Sequence, residues 1–477
     1  MSHNYILVVD FGTSNVHVNA FDTQDGKIVC STNAKYPLLA TEPGYSEIDP
    51  EVVFEKSEEC VARVLEELKQ KNEPYIIDAL SFSFFGDNMI AVDEKGTPLM
   101  NLIQAFDTRA KQEIDDLCEE VKKRGIMENP EEEFFIFSTA GKILWARRRM
   151  DGVKKYYSIQ QFILNRLGVQ DVNDATMATT KRLMDMENLQ WKKEILDIMD
   201  ITPEALGDIV SADTIVGEIE AYGTAKFPNK VKVVPGAHDA ACAWLGLGVP
   251  EEPTGVLGDI TGTFEHVGFL FKNLDAFREK NSSSVAYVSP GASKGSWVTM
   301  DAIETSGALL EWFMREIHGD TGAESYEEMW KDCQFDDVNR TKVEGNFNLE
   351  QGTFVNLGLH TTKKDLFKAI IERITLECRR MIRGVAASSP VAVTTVRIGG
   401  GTARSPIWNQ LRADITGLVF ECLDNIEVSS TGAAILAAVA CGIYSSTEDA
   451  MQHMIHVKEV FRPKESIVAL YDEKYKQ

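Results

Sequence analysis

The sequence lacks the cysteine and glycine patterns of several common kinds of site. Its eight cysteines form no CxxC pair, and none neighbours a histidine at ligand spacing. We therefore expect reduced thiols rather than a structural zinc site or a disulfide framework. The sequence also lacks GxxxxGK followed by Ser or Thr, and it has no GxGxxG in a strand–turn–helix unit. A P-loop is thereby excluded, and a nicotinamide-binding Rossmann site is not supported.

Long apolar runs and an excess of basic residues are absent too. The longest apolar stretch, GAAILAAVACGIY from Gly432, is shorter than the roughly 20 residues of a membrane-spanning helix, and it favours a buried helix. Acidic residues outnumber basic ones 73 to 49, which gives a formal net charge of −24. Such a surface repels nucleic acid and anionic membranes, so we expect neither as a partner. The first residues, MSHNYILVVD, carry no secretion signal, so we expect a cytoplasmic protein.

The length and the order of patterns indicate two α/β domains. A chain of 477 residues is too long for one ordinary core. Apolar strands of alternating polarity are interleaved with amphipathic helices such as residues 50–70, which is typical of α/β architecture. Glycine and proline cluster between Gly246 and Pro253, and a new strand begins directly afterwards. We therefore predict domains over residues 1–248 and 249–477.

The two halves open on similar segments. LVVDFGTSNVHVNAF in the first half and GVLGDITGTFEHVGFLF in the second each contain an apolar strand, an aspartate, a Gly-Thr pair and a second alternating strand. Two unrelated hairpins could produce one such pair, but both segments open a domain-sized half. A duplicated fold is therefore the better interpretation.

The first of these segments has the features of an anion-binding turn. Asp10 ends a strand, and Thr13, Ser14 and Asn15 offer hydroxyl and amide donors in the turn that follows. Amides that point one way in a tight turn make an anion-binding concavity, and a carboxylate at a strand end can hold Mg²⁺ through water. The alternative is an ordinary hairpin loop, because Gly, Ser and Asn favour turns anyway. Gly262 and Thr263 offer the same kinds of donor in the second half.

Asp239 is the candidate general base. It lies in GAHDAA, between the strand VKVVP and an Ala-rich helix. A carboxylate at such a junction can accept the proton of a hydroxyl nucleophile. The alternative, which position alone favours, is that Asp239 is only the helix N-cap. We interpret the adjacent His238 as a packing or supporting residue.

Two further segments are candidates for ligand contacts. Gly400 and Gly401 lie in RIGGGTARS, a glycine-rich loop on whose backbone a flat ligand can lie; a plain strand-to-helix turn is the alternative. Asp87, Asn88 and Asp107 lie in polar clusters that end strands of the first half. Polar groups of this kind suit a ligand rich in hydroxyls, although Asp107 could instead cap a helix and pair with a neighbouring arginine.

In their order and spacing, these segments resemble the FGGY family of carbohydrate kinases. The resemblance extends from Asn4 to Tyr444 and is most specific in IGGGTARSPIWNQLRADITGLVF and EVSSTGAAILAAVACGIY. GKILWARR, and SIQQFILNRLG followed by Asp174 and Ala175, are similar to the family's N-terminal helical region. The resemblance implies an α/β fold with two actin-like, ribonuclease H-like domains that close on ATP and a sugar.

The resemblance also implies roles for individual residues. Asp239 matches the catalytic base and would accept the proton of a primary hydroxyl as its oxygen attacks the γ-phosphorus. Mg²⁺ would offset charge on the β- and γ-phosphates. The positions implied are Asp10 for the metal, Thr13, Asn15, Gly262 and Thr263 for phosphates, Gly400 and Gly401 for the nucleotide with Asn409 and Arg412 on the helix behind, and Asp87, Asn88 and Asp107 for the sugar.

The acceptor site departs from familiar members of the family. Gly86-Asp87-Asn88 stands where xylulose kinases tend to carry Met-His-Gly and glycerol kinases tend to carry Arg-Glu, and Ala240 stands where glycerol kinases carry Gln. These differences argue against glycerol and leave a ketose, above all a pentulose such as xylulose, or a polyol. The alternatives are a kinase for another polyol-like small molecule and a non-catalytic actin-like ATP-binding protein. The sequence is compatible with a homodimer.

Overall fold

The chain forms two compact units, each assembled from three segments. The computed structural model describes residues 3–281, 287–303, 305–331, 333–335, 339–346 and 351–475. The first unit comprises Met1–Gly246, Ser289–Gly295 and Ser429–Met454, and the second comprises Leu247–Val288, Ser296–Val428 and Ile455–Gln477. The predicted domains, 1–248 and 249–477, are each continuous in sequence and stay a prediction.

The strands range from two-residue pairings to ten-residue sheet strands. They are β1 (His3–Phe11), β2 (Asn15–Asp22), β3 (Ile28–Lys35), β4 (Glu47–Ile48), β5 (Tyr75–Phe84), β6 (Ile90–Val92), β7 (Leu102–Ile103), β8 (Lys155–Tyr157), β9 (Asn173–Asp174), β10 (Met184–Asp185), β11 (Gln190–Trp191), β12 (Ile209–Val210), β13 (Gly217–Tyr222), β14 (Ala225–Val233), β15 (Ala237–His238), β16 (Val256–Thr261), β17 (Glu265–Phe271), β18 (Val288–Pro290), β19 (Trp297–Ile303), β20 (Lys342–Asn346), β21 (Gln351–Val355), β22 (Thr395–Gly400), β23 (Val419–Leu423) and β24 (Val457–Phe461).

The α-helices are α1 (Pro50–Gln70), α2 (Lys111–Lys123), α3 (Pro130–Glu133), α4 (Thr139–Arg149), α5 (Ile159–Arg166), α6 (Ala175–Thr180), α7 (Lys193–Met199), α8 (Asp239–Gly246), α9 (Leu274–Lys280), α10 (Ser306–Trp312), α11 (Ala323–Trp330), α12 (Lys363–Ser388), α13 (Pro406–Thr416), α14 (Val428–Ala440), α15 (Thr447–Met454) and α16 (Glu465–Lys474). Helical segments of other types are Pro203–Ala205, Phe313–His318 and Gly401–Arg404.

The central sheet of the first unit has the order β13-β14-β5-β1-β2-β3, and β15 also pairs with β5. β1, β2 and β3 form an antiparallel meander, whereas β1, β5 and β14 run parallel. β1 is an almost continuous apolar run that is buried along its middle, as expected for a strand covered on both faces. α1 packs against this sheet through an apolar stripe that includes Val53, Val61, Val64 and Leu68.

The second unit repeats this arrangement. Its sheet contains β19-β17-β16-β22-β23-β24 in that order. β16, β17 and β19 are antiparallel, β16, β22 and β23 are parallel, and the edge strand β24 is antiparallel to β23. The first unit has the same sequence of orientations from β3 through β1 and β5 to β13. The common order supports the interpretation that the two opening hairpins belong to a duplicated fold.

The apolar stretch that begins at Gly432 forms most of α14, as predicted, and its residues Ala433 to Ala438 are fully buried. Among the residues that the structure describes, no helix combines the length and the apolar character that a membrane crossing would need.

Gly432 should be intolerant of any side chain. It lies in α14 against the carbonyl oxygen of Cys242 in α8, and an added Cβ would overlap that oxygen. We expect Gly432→Ala to lower the free energy of unfolding by about 1–3 kcal/mol, the usual cost of overpacking. Gly384 in α12 has open space at its Cβ position, so Gly384→Ala should stabilise by up to about 1 kcal/mol. Urea unfolding midpoints test the pair, and equal midpoints would contradict the prediction.

Candidate functional site

The candidate base lies at the first position of a helix. β15 ends at His238, and α8 begins at Asp239, whose side chain is 40% exposed. The Asp239 carboxylate accepts a hydrogen bond from the N–H of Ala240 at 2.6 Å, and the imidazole Nε2 of His238 lies 3.5 Å from the same oxygen. Asp239 is therefore the first residue of α8, and its carboxylate contacts the helix start while it stays partly exposed; its role as the base stays a prediction.

A buried hydrogen-bond network fixes the backbone on which Asp239 stands. The N–H of His238 donates to the hydroxyl of Thr176 at 2.9 Å, and that hydroxyl donates to Asp174 at 2.5 Å. Gln160 donates to Asp174 at 2.9 Å and to the Pro235 carbonyl at 3.2 Å. Asp174 is completely buried, and burial raises its pKa. The network therefore couples the start of α6 to the start of α8.

Sequence reasoning quoted Asp174 and Ala175 but gave Asp174 no role. The structure makes Asp174 the N-cap of α6, because its carboxylate accepts from the N–H groups of Thr176 and Met177 at 2.8 and 3.3 Å. An aspartate before a run of small residues is a recognisable N-cap signal. The long-range contact through Thr176 has no such local signal.

The turn between β1 and β2 presents the predicted phosphate contacts of the first half. The N–H of Gly12 donates to the Asn15 carbonyl at 2.9 Å, and the buried Tyr36 hydroxyl contacts the carbonyl oxygens of both residues. Thr13 and Ser14 lie at the tip and are exposed. The structure thus holds the backbone of the turn and leaves its hydroxyl groups accessible, which suits an anion-binding turn.

Strand register brings Asp10 and the base segment to one edge of the sheet. Asp10 on β1 is the register partner of Ser83 on β5, and Ser83 is also the register partner of Ala237 on β15. Neighbouring strands lie about 4.8 Å apart, so Asp10 and Ala237 are separated by about 10 Å across the sheet. Asp239 follows two residues beyond Ala237. The candidate metal ligand and the candidate base therefore belong to the same end of the same sheet.

The surroundings of Asp10 fit a hard cation. Its carboxylate is partly exposed and accepts a hydrogen bond from the Ser430 hydroxyl of α14 at 3.1 Å. Burial raises the pKa of Tyr36, and the negative charge of Asp10 raises it further. A carboxylate beside hydroxyl-bearing residues is the oxygen donor set that Mg²⁺ accepts, usually with water completing its shell. Sequence reasoning quoted the EVSSTGAA segment but did not single out Ser430.

The first acceptor candidate, Asp87, has an unusual environment. Gly86 lies against the His238 ring, since a Cβ added at Gly86 would lie 2.5 Å from its Nε2. Asp87 has φ 52°, in the left-handed region, and its Oδ1 is buried without a hydrogen-bond partner. Lys142 holds this segment by donating to the carbonyl of Asp87 at 2.5 Å and to that of Ala105 at 3.0 Å. A carboxylate oxygen that the protein leaves unpartnered here can accept from a ligand hydroxyl.

Lys142 lies completely buried in α4 and was not singled out from the sequence. Burial lowers the pKa of Lys142 to about 8, while the charges of Asp87 and Asp107 oppose that shift. A buried ammonium beside two carboxylates offsets part of their mutual repulsion. We interpret Lys142 as the residue that joins the segment of Asp87 to the segment of Asp107.

Asn88 is engaged by the protein itself. It is buried, its Oδ1 accepts from the N–H of Ile159 at 2.8 Å, and its Nδ2 donates to the carbonyl of Phe85 at 2.6 Å. These contacts join the segment of Asp87 and Asn88 to the start of α5. Its predicted contact with substrate stays a prediction.

Asp107 is engaged still more completely. It is fully buried and accepts from the N–H of Ser46 at 2.7 Å and from the Arg109 guanidinium at 2.7 and 2.8 Å. Arg109 also pairs with Glu47 at 2.6 Å and lies over the Tyr45 ring. The structure therefore agrees with the alternative that Asp107 pairs with a neighbouring arginine, and this ion pair is buried. A substrate contact from Asp107 stays a prediction.

The second unit has a corresponding turn between β16 and β17. The N–H of Gly262 donates to the Phe264 carbonyl at 2.8 Å. In the first turn the N–H of Gly12 also donates to a carbonyl of its own turn, that of Asn15. The N–H of Gly307 donates to the Gly262 carbonyl at 3.0 Å and so anchors the turn to α10. Gly262 and Thr263 are exposed. Their backbone and hydroxyl donors are accessible to an anion.

The glycine-rich loop after β22 has one glycine that its geometry requires. Gly400 has φ 97°, and a Cβ there would overlap the Thr261 carbonyl, so β22 can approach β16 closely only with glycine. Gly401 is exposed with open space around it. Asn409 is buried and donates to the Ala403 carbonyl at 2.7 Å, so it supports the loop from behind. Its predicted contact with nucleotide stays a prediction.

The aspartates of the two matching hairpins are not equivalent in space. Asp10 precedes Gly12 by two residues, whereas Asp259 precedes Gly262 by three. Because side chains alternate along a strand, one extra residue turns the second aspartate to the opposite face. Asp10 is partly exposed, and Asp259 is completely buried.

Buried Asp259 belongs to an ionic cluster with Glu265 and Arg412. The guanidinium lies 3.9 Å from the Asp259 carboxylate and 3.7 Å from that of Glu265. Burial, reinforced by Glu265, raises the pKa of Asp259 well above its usual range. Arg412 also donates to Thr402 at 2.8 Å and to Asn409 at 3.1 Å. The cluster therefore lies beside both the turn between β16 and β17 and the glycine-rich loop of the second unit.

Comparisons with known proteins agree with this architecture. The N-terminal domain of the FGGY family of carbohydrate kinases matches residues 5–246, and its C-terminal domain matches residues 269–441. The chain is 26% identical to a xylulose kinase from Staphylococcus epidermidis, over 100% of this chain and 96% of the relative. It is 24% identical to a glycerol kinase from Saccharolobus islandicus, over 94% and 90%.

A solved structure gives the same result for the fold. A ligand-bound xylulose kinase from Lactobacillus acidophilus superposes with a TM-score of 0.83 at 22% identity, covering 98% of this chain and 96% of that one. The predicted fold class, two α/β units of the actin-like, ribonuclease H-like kind, is confirmed. The chain belongs to the FGGY family of carbohydrate kinases and is an enzyme of that class.

Asp174 should act on the reaction through the position of Asp239. Asp174→Asn keeps the size of the side chain but removes one acceptor of the buried network, so the start of α8 should lose its fixed position. We expect kcat to fall by about tenfold to a hundredfold, the cost of a small misplacement of a reacting group, while nucleotide affinity stays unchanged. Steady-state kinetics and nucleotide titration measure the two quantities. Asp185→Asn, which changes a partly exposed carboxylate of β10, is the control, and equal kcat in both variants would refute the role.

Proposed function

We propose that this enzyme transfers the γ-phosphoryl group of ATP, with Mg²⁺, to a primary hydroxyl of a ketose, with a pentulose such as xylulose as the first candidate. The observation that carries this proposal is the register of β1, β5 and β15, which aligns Asp10 and the segment of Asp239 at one sheet edge. Phosphoryl transfer needs a charge-offsetting site and a proton acceptor close together, because its catalysis is mostly positioning and electrostatics.

In this proposal each residue has a defined task. Asp239 accepts the proton of the acceptor hydroxyl while that oxygen forms its bond to the γ-phosphorus and the bond to ADP breaks. Asp10 holds Mg²⁺, which when bound offsets charge on the β- and γ-phosphates. The phosphate contacts are Thr13, Ser14, Asn15, Gly262 and Thr263, and the nucleotide contacts are Gly400 and Gly401, with Asn409 in support.

Asp87 supports a hydroxyl-rich acceptor. Its buried Oδ1 lacks a hydrogen-bond partner, and Gly86 beside it contacts His238, the neighbour of the base. A site whose buried acceptor is completed only by a ligand hydroxyl discriminates against ligands that lack it. The acceptor should therefore donate a hydrogen bond to Asp87 while its reacting hydroxyl faces Asp239.

A polyol is the second candidate acceptor, because the chain is nearly as similar to a glycerol kinase as to a xylulose kinase. ADP release over a panel of pentuloses, hexuloses, glycerol and four- to six-carbon polyols decides between the classes. Turnover with xylulose above that with glycerol supports the ketose. No acceptor-stimulated turnover with any of them would place the acceptor outside ketoses and these polyols and would contradict the proposal.

Asp239→Asn should remove the base and leave the binding of nucleotide intact. General-base catalysis contributes about 10²–10⁴-fold, so kcat should fall by that factor. A coupled ADP assay measures turnover, and titration with a fluorescent ATP analogue measures affinity. Asp200→Asn changes a carboxylate that is 85% exposed and serves as the control. Near-normal turnover of Asp239→Asn would falsify the assignment.

Asp87→Asn should affect the acceptor more than the nucleotide. A hydrogen bond to a charged group contributes about 1.5–3 kcal/mol, so its loss should raise the acceptor KM about tenfold or more. The KM for ATP should change by less than about twofold on the same reasoning, since the nucleotide makes no contact with Asp87 in this proposal. Asp151→Asn, at an exposed position, is the matched control. A larger effect on ATP than on the acceptor would place the acceptor site elsewhere.

A further inference from the structure

The second unit contains a basic cavity that phosphoryl transfer does not use. It has a volume of about 330 Å³ and lies between α12 and β20. Five basic side chains line it: Lys342, Arg373, Arg379, Arg380 and Arg383. Four of them come from α12, where spacings of three, four and seven residues bring side chains to one helical face. No residue assigned to the base, the phosphate turns or the glycine-rich loop lines this cavity.

The charge of this cavity runs against that of the whole chain. The chain carries a net charge of −24, yet five basic side chains line the cavity beside three acidic ones, Glu344, Glu372 and Glu377. Asp301 and Asp472 pair with its arginines from outside the lining. Burial raises the pKa of Glu372, while hydrogen bonds from Tyr471 and Asn339 oppose that shift. Concentrated positive potential in a concave site attracts anions.

The acidic partners leave part of this basic set unsatisfied. Glu377 pairs with both Arg373 and Arg380, Arg380 also pairs with Asp301, and Asp472 is shared by Arg379 and Arg383. Three carboxylates thus serve four guanidinium groups. A planar guanidinium has five N–H donors, so shared carboxylates cannot satisfy all of them.

Arg379 is the most informative member. Its side chain is only 5% exposed, and its Nη1 is buried without a hydrogen-bond partner. Burial lowers the pKa of Arg379, and the like charge of the nearby Arg383 lowers it further. A buried donor without a partner is rare in proteins and costs about 1–3 kcal/mol. An anion in the cavity would supply the missing acceptor.

The shape of the site restricts the kind of anion. A cavity of about 330 Å³ is at the small end of ligand-binding sites, and the overall negative charge of the chain repels polyanions. Several arginines on one face suit a compact group with several acceptor oxygens, and guanidinium forks match phosphate geometry. We propose that this cavity binds a phosphate dianion, either free orthophosphate or the phosphate group of a small phosphate ester.

Binding is measured by calorimetric titration with sodium orthophosphate and with ribose 5-phosphate, in the presence of a saturating non-hydrolysable ATP analogue. The analogue occupies the nucleotide site of the proposed function, so added phosphate cannot bind there. Heat of binding then reports on the basic cavity alone. Sodium chloride and sodium acetate at equal ionic strength control for screening. We expect heat of binding from the phosphates and none from chloride or acetate.

Two exposed members of the cavity provide variants that should fold. Arg380 and Arg383 are 48% and 50% exposed, so Arg380→Gln and Arg383→Gln should leave stability nearly unchanged while weakening phosphate binding at least fivefold each. Arg315→Gln removes an arginine that is 55% exposed and lies outside the cavity, and it should bind as the parent chain does. Arg379→Met should abolish binding if the variant folds.

Each outcome decides a point. Equal binding of orthophosphate and ribose 5-phosphate identifies free phosphate as sufficient, and tighter binding of the ester identifies a phosphorylated metabolite. Binding that is unaffected by Arg380→Gln and Arg383→Gln, or heat that chloride and acetate reproduce, would overturn the proposal.

Discussion

The candidate active site depends on the parallel pairing of β5 with β1 on one side and β15 on the other. This pairing places Asp10, Ser83 and Ala237 at the same level of one sheet. Side chains that follow the carboxyl ends of parallel strands meet at one edge, where open α/β sheets bind their ligands. Asp239 and Asp10, the candidates for the base and the metal ligand, are more than 200 residues apart in the chain, and this register brings their segments together.

Much of this arrangement could be predicted from local patterns. The first and second hairpins, the helix over residues 50–70 and the buried helix that contains Gly432 follow from strand alternation and helical periodicity. The offset of Asp259 was also present in the sequence, because it stands one residue farther from its Gly-Thr pair than Asp10 does. Counting that spacing would have predicted opposite faces, whereas matching the residue types alone did not.

The remainder depends on contacts that no local pattern encodes. Thr176 and His238 are joined through one hydroxyl, although 62 residues separate them, and Lys142 reaches a carbonyl 55 residues away. A segment as late as Ser429–Met454 joins the first unit, so Ser430 can support Asp10. Such contacts are selected by packing of whole elements, and a periodic pattern can indicate only which face of each element is buried.

Asp87 and Arg379 share a property with the buried cluster of Asp259, Glu265 and Arg412 that Asn88 and Asp107 lack. Each has a buried atom without a hydrogen-bond partner, and Asp87 adds a left-handed backbone conformation that favours glycine or asparagine. Strain of this kind costs about 1–3 kcal/mol and persists only where the surroundings over-determine it, as Lys142 does for Asp87 through its carbonyl. Asn88 and Asp107 lie in equally polar segments but have their acceptors occupied by backbone and guanidinium donors. An unsatisfied buried atom therefore fits the binding roles proposed for Asp87 and Arg379, but it does not establish them, because the structural cluster of Asp259, Glu265 and Arg412 carries the same cost.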